Sequence, residues 1–244
     1  MIPSTEPGLT EDGLLGGRVR LLQPAKGYRV AVDAPLLAAA VEARPGERIL
    51  DLGAGVGAVG LCLAARVPGC SITGIELQPA LAELAKRNAE LNGIADRFGI
   101  LVHDLAAPLP VLKAFDHVVS NPPYLAAAVA DPPPDAGKAL ATVESSADLQ
   151  RWLRVATSTA KPAGTVLLIH RADRLDEIER ALAALGWSDL LIKRLPPAPR
   201  VLVRARRARQ FHRREVQPLV LHRPGGGYTD EAEAVLRGGA PLAF

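Results

Sequence analysis

Apolar positions along this chain recur in two rhythms, short apolar runs and helical spacings, and from residue 47 the two alternate. Arg48-Ile49-Leu50-Asp51 reads as a strand ending in a glycine-rich turn, and Ala58 to Arg66 as a helix closed by Pro68-Gly69. Ser71 to Glu76 is expected as a second strand. Pro79 to Asn92 carries Leu81, Leu84, Ala85 and Asn88 at helical spacing, with Gly93 as its C-terminal cap. Phe98 to Val102 and Asp116 to Ser120 follow as strands, Leu149 to Ala160 as a helix, Thr165 to Ile169 as a strand and Asp173 to Leu185 as a helix. Strands alternating with helices predict a parallel sheet covered on both faces. The ending differs. Leu190 to Lys193, Val201 to Arg206 and Leu219 to His222 read as successive strands with no helix between the later two, and Thr229 to Arg237 as a short last helix. The fold class expected is therefore α/β, a doubly wound and mostly parallel seven-stranded sheet, closed by a hairpin or reversed edge.

The N-terminal stretch reads differently again. Residues 1 to 12 lack periodicity and suggest a loose arm, and Arg18 to Leu22 alternates as a short strand does. Asp33 precedes Ala34-Pro35-Leu36-Leu37-Ala38, the pattern of an N-cap, an early proline and an Ala/Leu helix. We divide the chain into residues 1–45, an arm with a strand and a helix, and residues 46–244, the main domain.

Composition narrows the picture. The 244 residues are 48% hydrophobic and 23% charged, enough to bury one large α/β domain. Aromatics make up only 4%, so the core must be Ala, Leu and Val. The start of the chain does not read as a secretion signal, and no apolar stretch approaches the ~18 to 20 residues of a membrane span. A cytoplasmic protein is expected. Cys62 and Cys70 fit neither a disulfide framework nor a common zinc spacing and read as core residues; no metal cluster stands out. The net charge of +3 is unevenly spread. Lys193, Arg194, Arg200, Arg204, Arg206, Arg207, Arg209, Arg213 and Arg214 fall in one stretch without an acid, so the rest of the chain, holding 20 of the 29 basic residues against 26 acids, is net −6. Such a stretch points to a polyanionic partner such as RNA, or to the solvated outer faces of strands.

The turn Asp51-Leu52-Gly53-Ala54-Gly55-Val56-Gly57-Ala58-Val59-Gly60 links a strand to a helix, where glycines let the backbone approach a ligand. Two registers are available. Gly55, Gly57 and Gly60 spell a dinucleotide fingerprint, with Glu76 placed for a ribose. Asp51, Gly53, Gly55 and Gly57 spell an acidic-x-G-x-G-x-G turn instead, and a motif that hydride transfer does not need lies downstream. In either register Glu76 ends the second strand, where a carboxylate can accept from both ribose hydroxyls. Asp104 ends the third strand and suits either an adenine amino group or a helix cap.

That downstream motif is Asn121-Pro122-Pro123-Tyr124, at the carboxyl end of the strand containing His117-Val118-Val119-Ser120. Consecutive prolines fix φ and remove two N–H donors, so carbonyls there can be held facing a pocket. The chemistry suits an aromatic exocyclic amine, whose lone pair is delocalised and weakly nucleophilic. Two acceptors on its hydrogens, the Asn121 side-chain oxygen and the Pro122 carbonyl, would localise that lone pair toward a methyl donor. Tyr124 offers a ring face for stacking a planar substrate. Orientation supplies most of the acceleration, without metal or covalent intermediate.

Asp51 to Gly57, Glu76, Asp104 and Asn121 to Tyr124 resemble the ordered motifs of class I S-adenosylmethionine (SAM)-dependent methyltransferases with an N-P-P-Y signature. The resemblance implies that Gly53, Gly55 and Gly57 line SAM, that Glu76 takes its ribose and Asp104 its adenine. It adds Asp33, Asp51, Leu77, Leu105 and Asn121 to the cofactor's neighbours. Gln23 to Leu37 resembles the N-terminal segment of the bacterial tRNA (adenine-N6)-methyltransferases that act beside the anticodon, in which an Asp precedes a helix folded over the SAM pocket; Glu144 also fits a glutamate of that family. The chain departs from it at Leu125 to Val143, where Ala and Pro with only Lys138 stand in place of arginines and a histidine. The implied function is SAM-dependent methylation of adenine N6 in tRNA. Alternatives are methylation of guanine N2 in ribosomal RNA or of protein glutamine, and a non-catalytic RNA-binding factor on the same fold. His170-Arg171, His117, His212 and His222 read as ordinary polar residues, and Trp152 and Trp187 as core.

Overall fold

The computed structural model describes residues 2–3, 8–27, 29–124 and 147–244. Tyr28, Glu144, Lys138 and the divergent stretch 125–143 lie outside them. Eight strands form one sheet: β4 (Arg48–Leu52), β5 (Ser71–Glu76), β6 (Phe98–Val102), β7 (Phe115–Ser120), β8 (Ala160–Arg171), β9 (Asp189–Arg194), β10 (Arg200–Arg206) and β11 (His212–Val216). Their order is β11-β9-β10-β8-β7-β4-β5-β6. Pairings from β6 through β5, β4 and β7 to β8 are all parallel, and β10 runs antiparallel to both β8 and β9. The chain winds outward from β4 in one direction and resumes at β7 in the other. A crevice therefore opens at the carboxyl ends of β4 and β7, where the order reverses.

The doubly wound α/β class holds, with one strand more than expected. The last strand is β11, running parallel to β9, while Leu219 to His222 contributes only an isolated bridge between His222 and Tyr228. Leu219 and Leu221 are buried and look like a strand in sequence, but their apolar side chains fill the core beside the C-terminal helix instead. The described residues of the N-terminal arm form strands as well. β1 (Ile2–Pro3), β2 (Leu9–Leu14) and β3 (Val19–Pro24) form a separate antiparallel sheet.

Both faces of the large sheet are covered at its centre, while β11 at one edge stays largely exposed. One is covered by α1 (Asp33–Ala39), α2 (Ala58–Arg66), α3 (Pro79–Leu91) and α6 (Asp230–Leu236), the other by α4 (Leu149–Thr159) and α5 (Leu175–Ala184). Side chains alternate accordingly: Ile49 joins the first layer, and Leu50 and Leu52 the second. Gly60 lets α2 sit close, since a Cβ there would fall 2.7 Å from Ile72 Cγ2. Cys62 and Cys70 are both buried in this core. Asn88 on α3 and Asn92, its C-cap, pair with the backbone of β3 as a neighbouring strand would. Asn92 exchanges hydrogen bonds with the N–H and C=O of Arg20, and Asn88 with those of Leu22. Asn88 also donates to the Val56 carbonyl at 2.9 Å and so ties the small sheet to the glycine turn.

Most of the basic stretch is engaged within the fold. Arg194 pairs with Glu215, Arg204 and Arg206 with Glu42, Arg213 with Glu179 and Arg200 with Asp33. Lys193 donates to the Gln217 carbonyl, and Arg207 lies over the Trp187 ring. Among the described residues Arg209 and Arg214 alone of the nine have no such partner. The sequence shows the charges but not the acids that the fold brings alongside, Glu42 and Asp33 from 162 to 167 residues away. No helix among the described residues is long and apolar enough to cross a membrane, and no group of potential metal ligands occurs among them.

Candidate active site

The glycine turn is pinned to the neighbouring strand. The N–H groups of Gly53 and Ala54 both donate to the Ile75 carbonyl, at 2.8 and 2.9 Å. Gly53 has φ of +72°, and a Cβ on it would lie 2.5 Å from the Trp152 ring, so any side chain would collide with α4. This turn forms the floor of a cavity at the carboxyl ends of the strands. Gly53, Gly55, Glu76, Leu77, Asp104, Leu105 and Asn121 all line it.

Glu76 is buried, and its two oxygens accept from the Gly55 and Gln78 N–H groups, both at 2.8 Å. A carboxylate has about four acceptor positions, so acceptor capacity remains for a ribose hydroxyl. Burial raises the pKa of Glu76, and the backbone N–H groups oppose the rise. Asp104 closes a turn through Ala106 N at 2.9 Å, not the helix its cap reading expects, and it lines the cavity. Exposed Leu77, with Leu105 and Val30, adds apolar wall. A carboxylate for a ribose, a second acid beside an apolar slot and a side-chain-free floor together fit an adenosyl group.

Three residues expected at the cofactor stand elsewhere. Gly57 does not line the cavity; its φ of +87° begins α2. Asp51 shares the sheet face of Ile49 and is buried behind the turn, held by the Gly60 N–H and with Oδ2 unpartnered. Burial, with the charge of Glu76, pushes its pKa up to about 8, which favours the neutral carboxyl of Asp51 at neutral pH. Asp33 is not the N-cap of α1 but its first residue, and it too lies off the cavity lining. Its Oδ2 accepts from the Tyr124 hydroxyl at 2.7 Å and from Arg200 Nε at 3.2 Å.

The Asn-Pro-Pro-Tyr segment follows β7 at the rim. Ser120 Oγ donates to the Leu52 carbonyl at 3.0 Å and locks the ends of β7 and β4 together. Asn121 and Pro123 line the cavity, whereas the Pro122 ring is buried in a small apolar gap with Leu52, Val118, Leu149 and Trp152. The Tyr124 hydroxyl also lies 2.5 Å from Asn121 Oδ1. Arg200 Cζ sits 4.4 Å from the centroid of the Tyr124 ring, and the His170 ring meets Tyr124 edge-on at 5.2 Å.

Sequence reasoning missed three of these neighbours. Trp152, read as core, lines the cavity from α4. Its signal was the scarcity of aromatics. Arg200 was counted only as charge, and His170 as a solvated strand end. His170 is in fact fully buried, with Nδ1 accepting from the Arg171 N–H at 2.9 Å and Nε2 unpartnered. Desolvation first, then the nearby Arg174, push its pKa down to about 4. The unfolded chain, with an ordinary histidine near 6.5, binds a proton that the native state refuses. Stability is thus complete above pH 6.5 and is lost as pH falls toward 4. The expected cost is about 2–3 kcal/mol. His170→Gln should flatten that part of a melting-temperature profile against pH. His117, by contrast, is a satisfied core residue, bonded to Thr165 Oγ1 and Glu47.

Comparison with known proteins agrees with this fold. Residues 29–142 match the model of the family described as "Methyltransferase small domain". A solved protein of Agrobacterium tumefaciens, described as a predicted O-methyltransferase, superposes with a TM-score of 0.71 at 28% identity, over 87% of this chain and 99% of that one. The chain has the class I methyltransferase fold. Two relatives named tRNA1(Val) (adenine(37)-N6)-methyltransferase are similar in sequence. That of Porphyromonas gingivalis (strain ATCC 33277) is 34% identical over 164 residues, 64% of each chain. That of Yersinia pestis (strain Pestoides F) is 41% identical over 106 residues, 42% of each. The matched part thus spans less than two thirds of these relatives' length. Within the methyltransferase fold, the glycine turn and Asn121 follow β4 and β7 at the switch point, and Glu76 ends the adjacent β5.

Proposed function

We propose that this chain is a SAM-dependent N-methyltransferase that acts on an exocyclic amine, adenine N6 in tRNA. The observation that carries the reading is the placement of Asn121 on the wall of the same cavity that Gly53, Gly55, Glu76 and Asp104 line. When bound, SAM supplies an electrophilic methyl group on a sulfonium. The chain's own residues do the rest. Glu76 takes the ribose hydroxyls, and Asp104 with Leu77 and Leu105 holds the adenine ring of the cofactor. Asn121 Oδ1 and the Pro122 carbonyl accept the two hydrogens of the substrate amine and hold its lone pair in line with the methyl carbon. Tyr124 supplies a stacking face for the target base, extruded from a single-stranded loop. RNA as the partner, and tRNA in particular, is supported by the names of the two relatives. The exposed arginine–carboxylate pairs of the basic stretch are individually worth about 0–1 kcal/mol, weak enough for phosphate to compete.

The test is incubation with methyl-labelled SAM and bulk tRNA, followed by digestion to nucleosides. Label in N6-methyladenosine is expected. Label in guanosine, or in glutamine of added protein, would overturn the substrate. Absence of SAM binding by calorimetry would make the protein an RNA-binding factor.

A further inference from the structure

The antiparallel register of β8 and β10 sets Arg171, the last residue of β8, directly opposite Arg200, the first of β10. Residues so paired project to the same side of a sheet, with Cβ atoms about 4.5–5.5 Å apart. Like charges there repel, so the pairing brings the fold no stability of its own. Each arginine carries one acid. Asp33 accepts from Arg200 Nε at 3.2 Å, and Asp173 accepts from Arg171 Nε at 3.0 Å and from its Nη2. Among the described residues Arg200 Nη1 and Nη2 and Arg171 Nη1 have no hydrogen-bond partner, so both guanidinium groups keep donors to spare. Both side chains also reach solvent, at 26% and 39% exposure for Arg200 and Arg171.

Their position selects the anion. Neither arginine lines the cavity, so neither serves the cofactor. Arg200 Cζ lies 4.4 Å from the centroid of the Tyr124 ring, and the Tyr124 hydroxyl lies 2.5 Å from Asn121 Oδ1. One aromatic side chain thus separates the arginine pair from the residue that receives the acceptor amine. A base held at Asn121 leaves its ribose and phosphates at the rim, where the two guanidinium groups stand. Planar guanidinium donors match two oxygens of one phosphate, and the ring and carboxylate already fix Arg200, so docking costs it little rotamer freedom. We propose that Arg171 and Arg200 form a phosphate clamp that binds the RNA backbone beside the nucleotide whose base enters the site. Such a clamp rests on the reading of RNA as the acceptor. It goes beyond the attraction of the basic stretch, because Arg171 lies outside that stretch, reads in sequence as an ordinary polar strand end, and meets Arg200 only through strand pairing.

The test measures RNA binding by the full chain, with S-adenosylhomocysteine present and no turnover, for wild type, Arg171→Gln and Arg200→Gln. The probe is an anticodon stem-loop RNA with one adenine beside the anticodon. The two phosphates flanking that adenine are either native or replaced by neutral methylphosphonates. With native phosphates each variant should bind about tenfold more weakly. Each should also flatten the slope of log K against log salt by about 0.7 to 1. With the flanking phosphates neutralised, wild type should fall to the level of the variants, and the variants should change by about twofold or less. S-adenosylhomocysteine affinity within about threefold of wild type reports an intact cavity. Should Arg200→Gln fail to fold, Arg171→Gln decides the matter, because among the described residues the Arg171 side chain is hydrogen-bonded only to Asp173. A tenfold loss that persists on the neutralised RNA would overturn the proposal, since the arginines would then act through the fold or on other phosphates. Equal binding of both RNAs by the wild type would overturn it as well. Either result, with adenine still methylated by the wild type, leaves the methyltransferase reading standing. Label in protein and none in RNA would overturn that reading and the clamp with it.

Discussion

Asn121→Ala is expected to lower kcat about 100- to 1,000-fold, the range for deleting one preorganised hydrogen-bonding group from an active site. The SAM dissociation constant should stay within about threefold, because Gly53, Gly55, Glu76 and Asp104, which face the adenosyl part in this reading, end or follow other strands. The reason is geometric. Asn121 follows β7 directly, and the Ser120 hydroxyl binds the end of that strand to the end of β4. The amide is thus held by two central strands and cannot be replaced by water without losing alignment. Asparagine→Asp would keep the shape and an acceptor but bring a charge beside Asp33, so it should not rescue. Stopped-time assays with saturating SAM, paired with calorimetry, separate the two quantities. A large loss of SAM affinity with kcat preserved would mean that Asn121 serves the cofactor and not the acceptor.

Glu76→Ala should show the opposite split. Two hydrogen bonds from a diol to a carboxylate are worth about 3 kcal/mol together, which corresponds to about a 100-fold weaker SAM Kd. The deletion also strands the Gly55 and Gln78 N–H groups that the carboxylate now accepts, so the turn itself loosens. Glu76→Gln, which keeps an acceptor for part of this set, should lose less. Acidification should mimic the substitution. Since burial raises the pKa of Glu76, its carboxylate is protonated as pH falls while ordinary surface glutamates are still charged. SAM affinity should therefore decline on acidification sooner than a glutamate of ordinary pKa would dictate, and Glu76→Ala should lack that dependence. Binding that is flat in pH for the wild type would argue that the ribose is held by another group.

Much of this was legible in sequence because local chemistry and topology agree. The alternation of short apolar runs with helical spacings placed β4, α2, β5, α3 and β6 within a residue or two, and these elements carry the glycine turn, Glu76 and Asp104. The Asn-Pro-Pro-Tyr segment followed its strand as expected. What sequence could not reveal were contacts between distant segments. Asp33 looked like a helix cap or a cofactor neighbour, and only folding brings it to Tyr124 and Arg200, which lie 91 and 167 residues away. Asp51 looked like a ligand because its strand ends at the cavity, but the alternation of the strand directs it behind the turn. The arginines of β9 to β11 looked like a free basic surface until Glu42, Glu179 and Glu215 came alongside. Trp152 and His170 became site neighbours through the packing of α4 and the end of β8, which no local pattern encodes.

The most direct measurement is a crystal structure with S-adenosylhomocysteine and a short adenine-containing RNA. The target amine is predicted within hydrogen-bonding distance of the Asn121 side-chain oxygen and the Pro122 carbonyl, facing the cofactor sulfur across the cavity. An amine bound away from both oxygens, or a cofactor lying outside the pocket lined by Gly53 and Glu76, would contradict it.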